Sequence, residues 1–454
     1  MERTDVAVVG GGPGGAAAAR TAAMAGADVT LFEKGVPRAD RDVLGPDSTD
    51  AAGILDYWVD IMEEDPAEIP DGVILRQLDG ATFHGPTESL RITDTGLDGS
   101  YDGFGFTVHR ARFDDWLRQR AEDAGADYRV GTSVTDVETD LSGPSPTHTL
   151  SLAGGEAIEA DALVLADGPQ RTVTLDVLDE FLPDDESATT YLSPDRANHI
   201  AYQEHRRMPA ELFDPAHIEF WWGVMPGHTA YPWIFPNDDT VARIGLTMPI
   251  GMDIDDIDDR DDYALLDPDD ESIPPGRIYI RRLLQREFPE YDLEDFPIVE
   301  DRGKQSGTEA YPISSTRPVE SPTGANVAVV GGAMGGTSAF HEGGDHVAIR
   351  TGKIAGKLAA TDDMQRYNAA WKEALGPEMR RNVTFADLVR GMTPADWDRS
   401  FRTIRRMLES KGSRKRQALA AGRNGVSVYL RYRRKRWSYR GDRYVQLSES
   451  KYRV

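Results

Sequence analysis

An apolar run that breaks into glycines constrains this chain more than anything else in it. Residues Val6 to Gly15 read VAVVGGGPGG, with Gly10, Gly12 and Gly15 at G-x-G-x-x-G spacing. The first glycine permits a tight turn and the second lets backbone approach a pyrophosphate. The third lets a helix over Ala16–Ala25 pack on the strand. A pyrophosphate would then rest on the free N–H groups of that helix. The next apolar run, ADVTLFEK, places Glu33 where such units carry the acid that accepts from an adenosine ribose hydroxyl. Strand, turn, helix and acid predict an α/β domain that binds a dinucleotide.

Two later segments repeat the strand-into-turn pattern. Ala162 to Gly168 read ALVLADG, and Asn326 to Gly336 read NVAVVGGAMGG. Between the first two glycine turns, VHRARFDDWLRQRAEDAGA carries Arg110, Phe113, Asp114 and Leu117 as R-x-x-F-D-x-x-L. This order resembles the large p-hydroxybenzoate hydroxylase-like flavoprotein group, whose Rossmann-like FAD domain is assembled from separated pieces of chain. The resemblance implies FAD as cofactor and assigns residues 1–70, 101–180 and 300–360 to its domain. It implies cofactor contacts from Gly10, Gly12, Gly14, Gly15, Glu33, Lys34, Arg110 and Val134. It adds Asp167, Gly168, Gly331, Gly332, Gly335, Gly343 and Gly344. Gly332 stands where the group has an aspartate that accepts from the flavin's ribityl chain, and Ala339 stands for the usual proline. Ala348 and Gly352 keep the group's spacing in the following helix. The expectation is a retained FAD site with one hydrogen bond fewer, cradled by backbone N–H groups and the helix near Asp345. A flavin-free relic is the alternative that Gly332 suggests.

From about Ser187 to Pro297 the chain turns rich in aromatics and β-formers. Residues 71–100 and 181–299 are expected to form an inserted antiparallel sheet domain. HIEFWWGVMP (His217–Pro226) and TAYPWIFP (Thr229–Pro236) read as a hairpin across Pro226-Gly227-His228. Side chains on a strand repeat every two residues, so Tyr231, Trp233 and Phe235 share one face. The segment Y-P-W-I-F-P with Gly245 beyond it resembles the Y-x-W-x-F-P…G-x-G of geranylgeranyl reductases, flavoenzymes that saturate polyprenyl chains. Thr247 replaces the second glycine, and Leu44-Gly45 replaces the Cys-Gly of many archaeal members. The resemblance implies reduction of double bonds in isoprenoid lipid or quinone side chains, fed by a reduced nicotinamide or a ferredoxin. Trp222, Tyr231, Trp233, Phe235 and Gly245 are then the substrate-binding candidates. An isolated alkene has no carbonyl to draw a hydride, so its reduction calls for protonation toward a tertiary cation, which aromatic faces stabilise. His341 and Glu342 are candidate proton donors. An FAD-dependent hydroxylase is the rival enzymatic reading. Halogenases need an active-site lysine in the FAD domain, and none lies between Lys34 and Lys304.

The net charge of −26 and the scarcity of lysine read as a surface adapted to salt of archaeal, halophilic type. Molar salt screens such self-repulsion, since the Debye length falls to about 3 Å at 1 M. The seven aspartates within Asp253–Asp262 read as a solvated face rather than a metal site. No cysteine is present, which excludes disulfides, thiolate catalysis and iron–sulfur clusters. The first strand starts too early to leave room for a signal peptide, and no apolar run is long enough to span a bilayer. A cytoplasmic protein is expected. Residues 361–454 are expected to be helical with a basic tail. Arg399–Arg443 hold sixteen Lys/Arg against Glu409 and Asp442. There Phe401, Ile404 and Leu408 share one helical face among arginines, the pattern of an interfacial helix on the inner face of an anionic membrane. The equal alternative is a tail folded back on the acidic body, which itself disfavours nucleic acid.

Overall fold

The computed structural model describes residues 1–36, 53–303, 306–314, 316–409 and 427–454. Leu44-Gly45 lie outside the described residues, as does much of the basic tail. The chain opens with β1 (Glu2–Val9), α1 (Pro13–Met24) and β2 (Val29–Glu33). It continues through β3 (Gly53–Leu55), α2 (Asp56–Met62), β4 (Ile74–Leu78), β5 (Gly80–His84), β6 (Ser89–Ile92), β7 (Gly105–Val108) and α3 (Arg110–Asp123). Next come β8 (Asp127–Val130), β9 (Val134–Asp140), β10 (Thr147–Leu152), β11 (Ala157–Leu165), α4 (Thr174–Glu180) and α5 (Ala188–Tyr191). The middle holds β12 (His199–Arg207), β13 (His217–Trp221), β14 (Tyr231–Pro236), β15 (Val241–Pro249), α6 (Gly276–Glu287) and β16 (Thr308–Ile313). The last part is β17 (Val327–Val329), α7 (Asp345–Ala360), α8 (Tyr367–Val389) and α9 (Pro394–Glu409). Residues 427–438 are helical again.

The first sheet runs β8-β2-β1-β11-β10-β9, with β17 beside β11. β1 pairs in parallel with both β2 and β11, so Val6, Ala7, Val8 and Val9 are buried. That explains their unbroken apolar run. Helices α1 and α7 pack on this sheet through residues too small to hold them apart. A Cβ on Gly352 would lie 2.1 Å from the Gly14 carbonyl oxygen, and one on Gly356 would lie 2.1 Å from that of Ala18.

The second sheet runs β16-β12-β15-β14-β13-β5-β6, and β3-β7-β4 form a third. The expected hairpin is present as antiparallel β13 and β14, pairing Glu219 with Ile234 and Phe220 with Trp233. Three segments fall elsewhere than the sequence places them. β16, expected in the FAD domain, pairs antiparallel with β12 in the second sheet. β4, expected in the inserted sheet, joins β7. Residues 439–454 return to the first domain, where Tyr439, Tyr444, Leu447 and Tyr452 are buried in its core. The Glu320 amide donates to the Leu447 carbonyl at 2.9 Å, and the Arg453 amide to that of Phe181 at 2.7 Å.

Helix α9 departs from the expected interfacial stripe. Phe401 is buried between Phe83 and Trp397, while Ile404 and Leu408 are exposed. The Asp398 carboxylate accepts from the Thr87 and Glu88 amides, each at 3.0 Å. Arg402 and Arg405 pair with Glu88 at 2.8 and 2.6 Å. This helix therefore lies against the β5–β6 turn. Among the described residues no helix is long and apolar enough to cross a membrane.

Candidate active site

A cavity of about 820 Å³ is lined by the glycine loops of the first sheet and by an aromatic wall from the second. Backbone geometry builds the polar part. Gly10 has φ +102°, and a Cβ there would meet the Ala166 carbonyl oxygen at 2.4 Å. Gly15 could not carry a Cβ either, because Gly10 O would lie 1.9 Å away. These two glycines shape the turn without lining the cavity. Gly12 lines it, and a Cβ there would meet nothing within 4 Å. The N-termini of α1 and α7 both border the cavity, and neither has a side-chain cap. Two open helix ends on a bare glycine surface form an anion cradle of the kind a dinucleotide pyrophosphate fills. The residues present therefore fit FAD.

The other expected cofactor residues divide by position. Lys34, Arg110, Gly14, Asp167, Gly168, Gly331, Gly332, Gly343 and Gly344 border the cavity. Arg110 pairs with Asp114 at 2.7 Å and with Asp345 at 3.1 Å, tying the start of α3 to the start of α7. The Asp167 carboxylate accepts from the Val173 and Thr174 amides at 2.7 and 3.0 Å, so it also holds the start of α4. The Glu33 carboxylate accepts from the Gly11 and Gly35 amides at 2.6 and 2.5 Å. Val134 lies away from the cavity in β9, opposite Leu152. Gly335 is a turn residue at φ +76°, where a Cβ would meet the Arg317 carbonyl. Of the candidate proton donors, both His341 and Glu342 border the cavity.

On the second sheet, Tyr231, Trp233 and Phe235 face the cavity from alternate positions of β14. Phe220 of β13 stands edge-on to Tyr231 and Phe235 at 5.7 and 5.6 Å between ring centroids. Trp222 stacks on Tyr231 at 4.4 Å and on Phe340 at 5.4 Å. Gly245 does not line the cavity. It is the floor beneath Trp233, whose indole would lie 2.6 Å from any Cβ there. The Tyr231 hydroxyl donates to the His341 carbonyl at 2.8 Å, joining the wall to the third glycine loop.

One cluster escaped the sequence reading. Trp58 stacks on His346 at 4.1 Å and lies tilted against His341 at 5.2 Å, and His346 Nε2 lies 3.1 Å from Glu378. Burial alone would raise the Glu378 carboxyl, but His346, His341 and Arg381 bring it down to about 2. Burial, reinforced by His346, holds the His341 imidazole down to about 3, so it is neutral at ordinary pH. Phe220 could have been found by extending the alternation across the hairpin. Trp58 and Glu378 carry no local signal, because they reach the site through helix docking.

Comparison with known proteins agrees with this geometry. The family model for FAD dependent oxidoreductase matches residues 5–168. A digeranylgeranylglycerophospholipid reductase of Methanothrix thermoacetophila is 24% identical over 415 residues, covering 88% of this chain and 91% of that one. A second such reductase, from Methanosphaera stadtmanae, is 29% identical over 247 residues, 54% of this chain, and the chain spans 55% of its length. A geranylgeranyl bacteriochlorophyll reductase-like structure from Thermoplasma acidophilum superposes with a TM-score of 0.69 at 19% identity, covering 96% and 100% of the two chains. Fold and site together define an FAD-dependent oxidoreductase. Within that class, the chain is similar in sequence to digeranylgeranylglycerophospholipid reductases, at 24–29% identity.

Proposed function

We propose that the protein saturates double bonds of polyprenyl chains in membrane lipids. The observation that carries this reading is the aromatic wall that shares one cavity with the FAD cradle. Each ring of Tyr231, Trp233 and Phe220 can stabilise a tertiary cation by roughly 0.5–2 kcal/mol while the same rings bury the prenyl tail. The bound cofactor, once reduced, supplies a hydride, and the protein's part is to hold the alkene, exclude water and furnish a proton. Gly12 and the open ends of α1 and α7 would hold the pyrophosphate. Arg110 and Asp345 brace α3 against α7, and Glu33, which does not line the cavity, holds the glycine loop through the Gly11 amide. The source of electrons, a reduced nicotinamide or a ferredoxin, is part of the same proposal.

A membrane surface is the natural place to meet such a substrate. The helix over residues 427–438 packs against α8 through Tyr432 on Phe385 at 5.0 Å, and Phe385 borders the cavity. Its outer side exposes Val428, Tyr429, Leu430 and Trp437, and Arg431, Arg433, Arg434, Lys435 and Arg436 lie among them in the chain. We read this as the face that meets an anionic bilayer next to the cavity, and the acidic body as adapted to high salt.

The test is reduction of a digeranylgeranyl phospholipid in vesicles by flavin-loaded protein, followed by mass spectrometry. Trp233→Ala should lower the rate by tenfold or more, equivalent to the roughly 1.4 kcal/mol that a cation–π pairing supplies, with flavin content unchanged. Equal rates in variant and parent would make the wall mere packing.

A further inference from the structure

The proposed reduction needs a proton beside the aromatic wall, and a file of titratable groups leads there from the surface. His228, in the loop before β14, is exposed. Its ring stands edge-on to His199 of β12, with centroids 6.0 Å apart. His199 is buried, and its Nδ1 lies 3.7 Å from Glu342 Oε1, whose side chain is 4% exposed. Glu342 borders the cavity next to Tyr231.

We propose that Glu342 is the proton donor to the substrate alkene, and that His199 and His228 return its proton from solvent.

Local geometry prepares each member for this. The Thr229 hydroxyl donates to the His228 carbonyl at 2.7 Å, so its oxygen accepts from His199 Nε2 at 3.3 Å. That fixes the proton on Nε2 and turns the lone pair of Nδ1 toward Glu342. Burial, with His228 adding to it, lowers His199 to about 4, and burial with Arg390 lowers His228. Both imidazoles are therefore neutral at rest and free to pass a proton on. Glu342 has φ +58°, a left-handed conformation that a non-glycine residue holds only where its surroundings impose it, as they often do at active sites. Burial raises the Tyr231 phenol, and Glu342 adds to this once it has given up its proton. Tyr231 is thereby kept as a neutral donor to the His341 carbonyl, out of the proton's path. His341 is the weaker candidate. Its Nδ1 accepts from the Gly343 amide at 3.2 Å, and its ring lies against Trp58.

One alkene carbon takes a hydride from the reduced cofactor, which is thereby oxidised, and the other takes the proton from the Glu342 carboxyl. The carboxylate left behind takes the proton of His199, whose ring turns its N–H toward Glu342 and gains the replacement from His228 on the nitrogen so freed. The imidazole then returns to its Nε2–H form.

This inference rests on the proposed prenyl reductase activity, and the experiment separates the two. Dithionite-reduced, flavin-loaded protein is mixed with digeranylgeranyl phospholipid vesicles, and flavin reoxidation is followed in one turnover. Glu342→Gln should slow it by about 10²-fold or more, the usual share of a general acid, while ferricyanide reoxidises the variant at the parent's rate. Glu342→Asp, which keeps a carboxyl, should recover part of the loss. His228→Ala lies at the surface and leaves the core intact. It should slow repeated turnover, and added imidazole should restore the rate, which a structural role would not allow. Parent-like reduction by Glu342→Gln overturns the donor, and parent-like turnover by His228→Ala overturns the route. A flavin-loaded parent that reduces no prenyl alkene overturns the activity itself, and with it this step.

Discussion

Gly332 leaves the third glycine loop bare where related flavoproteins have an aspartate, yet the site has kept the space. A Cβ there would meet Pro169 N at 3.3 Å and Gly168 C at 3.5 Å, and φ lies outside the left-handed region. The neighbours need give only a few tenths of an ångström. Gly332→Asp is therefore expected to tighten FAD binding by about 1.5–3 kcal/mol, the range for a hydrogen bond to a charged group. A fluorescence titration of apoprotein with FAD measures it, and an unchanged or weaker Kd would show that the loop's amides and Asp345 already suffice. Gly10 and Gly15, by contrast, were legible from spacing alone, because tight turns and close backbone approach are demands no other residue meets there. Gly245 was legible as important but not as a floor, since only the pairing of β14 with β15 puts Trp233 over it. Trp58, His346 and Glu378 were illegible, because three separate helices must dock before their side chains meet.

The strand pattern of β14 told more than any helix did. Alternation by two fixes which side chains share a face, so Tyr231, Trp233 and Phe235 could be grouped before any fold was known. Helix α9 shows the opposite case. Its 3.6-residue periodicity gathers Phe401, Ile404 and Leu408 into one stripe, but periodicity cannot say what that stripe meets. Asp398 clamps the helix to the Thr87 and Glu88 amides and seats Phe401 in the aromatic cluster, leaving only the far end of the stripe in water. The bilayer contact belongs more naturally to residues 427–438. Replacing Leu430 and Trp437 together by serine should abolish co-sedimentation with phosphatidylglycerol vesicles in molar KCl, with circular dichroism unchanged. Arg433→Glu with Arg434→Glu should weaken sedimentation in dilute buffer, by about 1 kcal/mol for each basic residue lost. In molar salt the same change should matter little. Sedimentation of the serine variant at the parent's level would exclude this face.

Acid should unfold the protein through its buried histidines. Burial lowers His148 and His199 to about 4 and His341 to about 3, against about 6.5 in an unfolded chain. Above about pH 6.5 all three are neutral in both states and have no effect. As the pH falls from there toward 4, the unfolded chain binds protons that the folded one refuses, and stability drops. Urea titrations between about pH 7.5 and 4.5 at constant salt measure the slope. His148→Gln should make it shallower by up to about 1.4 kcal/mol per pH unit, one proton's worth, and an unaltered slope would remove His148 from the account. The close seam between α1 and α7 adds a matter of timing. From Met24 to Asp345 is 345 − 24 = 321 residues, which at about 5–20 residues per second take a ribosome roughly 15–65 s to synthesise. Throughout that interval the face of α1 that will meet α7 has no partner, and half of the pyrophosphate cradle does not yet exist. The nascent chain must spend the interval without the cofactor to steady it, so shortage of FAD in the cell bears on the finished polypeptide and not on the growing one.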